Sequence, residues 1–122
     1  MSAESNIERN MLKLQQRAQE NANNHKWKVR WNPMMMGNLA EVQKGYRYLS
    51  IGDAIALTHS ELSEALEEYR NNAKQAFAYE LADTFIRLLH MCGDLDIDIA
   101  YYINMKMILN EQRPINHGRA YL

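Results

Sequence analysis

The chain has 122 residues, enough for one domain over 1–122 and not for two. Its net charge of −1 argues against a non-specific nucleic-acid binder and against a basic protein of membrane surfaces. A single cysteine, Cys92, excludes an internal disulfide, and no Cys/His cluster points to zinc, so a reducing, cytoplasmic setting is expected. The polar start over residues 1–6 does not read as a signal peptide, and no apolar run reaches the ~18 residues of a membrane span.

The first helix is expected to start near Ser5 or Asn6. Ile7, Met11, Leu14, Ala18 and Ala22 then recur at steps of four, three, four and four, which is an apolar stripe of helical period. Asn21, Asn23 and Asn24 suit its end, because asparagine tolerates the left-handed conformation. From 25 to 50 the pattern weakens. His25 to Asn32 is aromatic and basic, Pro33 breaks any helix there, and Gly37-Asn38 with Glu41 looks like a cap before a short helical piece. Both tryptophans, Trp27 and Trp31, fall in this segment. It reads either as a lid or base-binding wall, or as a loop pinned to the helices by those rings.

A second helix is expected from Ser50 or Asp53 to about Arg70, with Ile51, Ile55, Leu62, Leu66 and Tyr69 as a buried apolar stripe. After the Asn71-Asn72 turn a third helix covers about 74–91, with Phe77, Leu81, Phe85, Leu88 and Cys92 on one side and Gly93 as its stop. A fourth begins within the aspartates of 94–98, which suit a helix N-terminus, and ends before Pro114. The tail from Ile115 to Leu122 is expected to be irregular. The fold class is all-α: a four-helix bundle whose spare Met and Tyr side chains are expected to be covered by a second copy of the chain.

Two carboxylate pairs stand out. Glu61-Leu62-Ser63-Glu64 lies on the second helix and Glu80-Leu81-Ala82-Asp83 on the third, and residues three apart share a helix face. One such pair is usually a solvated face. Two pairs on consecutive helices joined by a short link are different, because the link favours antiparallel neighbours and brings the acidic stripes together. Two unit charges ~4 Å apart repel by about 4 kcal/mol at an effective dielectric near 20, so the cluster calls for a cation. Oxygen-only ligands point to Mg²⁺ or Mn²⁺, and Mg²⁺ commonly bridges to substrate phosphates. Lys106, Asn110 and Arg113, spaced by four and three, offer an ammonium, an amide and a guanidinium for phosphate oxygens. Their bland reading is a helix C-terminus with favourable cations.

In order and spacing, Glu61-x-x-Glu64, Glu80-x-x-Asp83 and Lys106-x-x-x-Asn110-x-x-Arg113-Pro114 resemble the MazG-like all-α nucleoside triphosphate pyrophosphohydrolases. The likeness covers about 53–118. The 25–50 segment, with its Met34-Met35-Met36 run, departs from the pattern. The resemblance implies an enzyme that cleaves between the α and β phosphates of an NTP or dNTP, releasing a nucleoside monophosphate and pyrophosphate. It implies that Glu61, Glu64, Glu80 and Asp83 hold Mg²⁺, with one of them or Glu68 as base on the attacking water. It implies that Lys106, Asn110 and Arg113 contact phosphate or sugar, and that an aromatic residue, Trp27 first and His25 second, meets the base. It further implies a homodimer or homotetramer with the site near a subunit interface. The rival readings are a helical binding or assembly module without catalysis, and a phosphoribosyl-ATP pyrophosphatase.

Overall fold

A computed structural model of the chain describes residues 3–31 and 43–114. The chain is predominantly helical. Helix α1 spans Ala3–Asn24, α2 Ile51–Arg70, α3 Lys74–Asp94 and α4 Ile99–Glu111. Two short strands, β1 (Trp27–Arg30) and β2 (Arg47–Ser50), pair in parallel, with Trp27 opposite Arg47 and Arg30 opposite Ser50. They are the departure from a purely helical chain. Among the described residues no helix is long and apolar enough to cross a membrane. The expected short helical piece after Gly37 and the tail from Ile115 lie outside the described residues.

Local chemistry accounts for the helix ends. Helix α1 begins at Ala3, ahead of the expected start at Ser5 or Asn6, and ends with Asn24. Lys26 takes the left-handed turn that leads into β1 (φ 64°). Strand β2 runs directly into α2, where Ser50 serves as N-cap and its Oγ accepts from the Asp53 N–H at 3.0 Å. Asn71 caps the other end and Asn72 turns left-handed (φ 57°), so only three residues separate α2 from α3. A link that short sets the two helices antiparallel and in their most extensive contact. Asp98 caps α4, its carboxylate accepting from the Tyr101 N–H. The expected stop at Gly93 is corrected: α3 runs on to Asp94, and Gly93 is buried inside it. A Cβ at that position would come within 3.1 Å of Gln19 Cβ, so glycine is there to let α1 and α3 approach.

The core sits where the strands meet the helices. Among the described residues Val29 is the most deeply buried side chain, and it packs with Ala54 and Leu95, flanked by Leu49, Ile51, Met91 and Ile97. Two cross-links hold this end: Gln15 donates to the Ile97 carbonyl at 2.9 Å, and Trp31 Nε1 donates to the Leu95 carbonyl at 3.3 Å. Away from it the apolar stripes are open in a single copy. Leu62 and Leu66 are about half exposed, Phe85 is 65% exposed, and Tyr101, Tyr102, Met107 and Leu109 stand out along α4.

Candidate functional site

The antiparallel α2/α3 pair brings carboxylates from both helices to one point. Glu61, Glu64 and Glu80 each offer an oxygen, and the three atoms lie within 4.8 Å of one another. Glu61 and Glu80 are half-buried and Glu64 is exposed. Asp83, one turn beyond Glu80, stands outside this group and faces the adjoining cleft. Three of the four expected carboxylates therefore meet, and the fourth is their neighbour.

Glu80 carries the strain of the arrangement. Its Oε2 is shut off from solvent and has no hydrogen-bond partner among the described residues. Burial, then the hydrogen bond and charge of Glu64, then Glu61 and the charge of Asp83, push its pKa up from 4.5 to about 7. These neighbours are acceptors like itself, so a bond between them forms only when one of the carboxyls keeps a proton. Near neutral pH the cluster needs either a shared proton or a cation. A divalent ion satisfies all three acids together, and an all-oxygen donor set suits the hard ions Mg²⁺ and Mn²⁺. The unpartnered Glu80 oxygen and the donor chemistry thus fit the ion that the sequence suggested.

A cleft of about 580 Å³ runs beside this cluster. Glu61, Asp83 and Arg87 are among the residues lining it, together with His25, Trp27 and Leu49. The two aromatic residues singled out in the sequence thus share a cavity with two of its acids. Trp27 is half-buried, and the Arg47 guanidinium lies 5.4 Å from its ring centroid. His25 is fixed by a 2.8 Å contact from Nδ1 to the Asn21 carbonyl. Lys106, Asn110 and Arg113 are exposed, on α4 and just past its end, and do not border this cleft.

Two features escaped the sequence reading. Arg87 Nε donates to Glu61 Oε1 at 2.9 Å, tying α3 to α2 across the acidic cluster. Its position was legible: four residues after Asp83 and seven after Glu80 is the same helix face. The second is the pairing at the cleft floor, where His90 Nε2 lies 2.8 Å from Asp94 Oδ2. This is a close approach without a hydrogen bond. Asp94 itself is well satisfied, accepting from the Val29 N–H at 2.7 Å and from Gln19 Nε2 at 3.1 Å.

A scan of protein-family models found none that matches the chain, and searches of curated proteins and of solved structures returned no match.

Proposed function

We propose that the chain is a Mg²⁺-dependent nucleotide pyrophosphohydrolase of MazG-like type, converting an NTP or dNTP to the monophosphate and pyrophosphate. The observation that carries this reading is the meeting of Glu61, Glu64 and Glu80 within 4.8 Å, with a buried, unpartnered Glu80 oxygen among them. The cleft beside it supports a nucleotide in particular, because two acids, an arginine and an indole line the same cavity.

In this reading Glu61, Glu64 and Glu80 hold Mg²⁺, with Mn²⁺ as a substitute, and Asp83 faces the cleft beside them. Bound there, the ion screens the phosphate charge and makes a water more acidic. Asp83 would accept a proton from a water in the cleft, a role supported by its standing outside the three-acid group and lining the cavity. Trp27 stacks on the base and His25 lies at its edge. Lys106, Asn110 and Arg113 reach phosphate from a second copy of the chain, since they do not border the cleft of their own. The exposed Tyr101, Tyr102, Met107 and Leu109 on the same helix supply apolar surface for that homodimer or homotetramer.

The test is a panel of NTPs and dNTPs with Mg²⁺, extended to phosphoribosyl-ATP, with products separated. Monophosphate plus pyrophosphate is the expected outcome. Release of orthophosphate alone, or no turnover of any nucleotide, contradicts it.

A further inference from the structure

We propose that Arg87 is a substrate-binding residue that exchanges one anion for another: it holds Glu61 in the metal-free cluster and turns to a phosphate of the nucleotide once a cation takes Glu61. This rests on the metal reading above. Arg87 makes one hydrogen bond among the described residues, from Nε to Glu61 Oε1 at 2.9 Å, so both η nitrogens remain available as donors. The guanidinium is the open partner of the pair, its side chain 39% exposed against 15% for Glu61, and it borders the cleft that holds Trp27. An ion pair this exposed is a weak hold. A divalent cation on Glu61 competes for the same negative charge and repels the guanidinium. The released side chain is already at the cleft wall, and a planar fork of N–H donors suits phosphate oxygens better than a point charge does.

The exchange predicts effects of opposite sign on metal and on substrate, which a purely structural tie between α2 and α3 does not. Mn²⁺ alone is titrated calorimetrically into the wild-type protein and into Arg87→Gln, and nucleotide hydrolysis is then measured on both. Removing the competing cation is expected to tighten Mn²⁺ binding about threefold to tenfold. The nucleotide KM is expected to rise about tenfold, with a smaller change in kcat. Equal or weaker Mn²⁺ binding in Arg87→Gln, or an unchanged KM, overturns the assignment while leaving the metal site standing. A wild-type protein that binds no Mn²⁺ overturns the metal reading, and Arg87's role with it. Should Arg87→Gln lose its helical circular dichroism, Arg87→Lys decides. It keeps the charge and loses the fork, so Mn²⁺ affinity should stay near wild type while KM still rises, and an unchanged KM there overturns the assignment.

Discussion

Glu80 and Asp94 are acids on the same helix, α3, and their surroundings are opposites. Asp94, its side chain only 5% exposed, is met by two donors, the Val29 N–H and the Gln19 amide, with the His90 ring nitrogen 2.8 Å away. Glu80 is met by two further carboxylates and keeps one oxygen buried without a partner among the described residues. A buried acid surrounded by donors fastens structure, and here it joins α1, β1 and α3 at the core. A half-buried acid surrounded by acids raises local energy unless a proton or cation joins it. The comparison assigns stability to one end of α3 and chemistry to the other.

Substitution at each acid should therefore move different observables. The largest effect is expected from Glu80→Gln in the nucleotide assay. If the proposed ion is held there, losing one of its ligands should lower kcat/KM by ~10³-fold. The fold should persist, because the glutamine amide can donate to Glu61 or Glu64. Next is Asp94→Ala, which leaves the Val29 N–H and the Gln19 amide without their acceptor. Chemical denaturation should show a loss of about 3 kcal/mol, while Mn²⁺ affinity of the folded protein stays unchanged. If instead Asp94→Ala abolished metal binding with stability intact, the division between the two ends would fail.

Gly93→Ala is expected to cost less. Helix propensity favours alanine by up to ~1 kcal/mol, but crowding against a backbone-fixed neighbour costs ~1–3 kcal/mol. With Gln19 Cβ only 3.1 Å from the new methyl, the crowding term wins, and a net loss of about 1 kcal/mol should appear in the same denaturation experiment. The smallest effect is a pH trend in the metal-free protein. A carboxyl whose pKa rises from 4.5 to about 7 on folding leaves the native state holding more protons than the unfolded one across that window. Stability from this group is therefore complete below 4.5 and declines as pH climbs toward about 7. Melting temperature should fall over that range, the fall should shrink in Glu80→Gln, and Mg²⁺ should restore stability at the alkaline end. A melting curve indifferent to both changes would remove Glu80 from its central position.

Much of this was legible in the residue order. Glu61/Glu64 and Glu80/Asp83 could be assigned to helix faces because of their spacing of three, and Asn71-Asn72 marked a short link that favours antiparallel helices. The displacement of Asp83 from the other three was not legible, since it depends on how far each helix is rotated about its axis. Strand β1 was hidden for another reason. Four residues, Trp27 to Arg30, are too few to display a period of two, and their partner lies beyond residue 45. The deep burial of Val29 follows from that pairing together with the packing of Ala54, Leu95 and Met91 around it. Gly93 misled because glycine favours helix ends by default, whereas close contact with Gln19 explains it here. The stripe of α2 was expected to be buried, but in one copy Ile55, Leu62, Leu66 and Tyr69 are between 44% and 66% exposed and the buried residues are Ala54 and Ala65, a difference visible only in three dimensions.

The central claim is that one divalent ion sits among Glu61, Glu64 and Glu80. Crystals grown with Mn²⁺ and measured at its absorption edge test this most directly. The account predicts an anomalous peak bridged by oxygens of those three residues, at the ~2.1 Å separations that small hard cations adopt. Full Mn²⁺ occupancy elsewhere on the chain, or none at this cluster at saturating concentration, would contradict it.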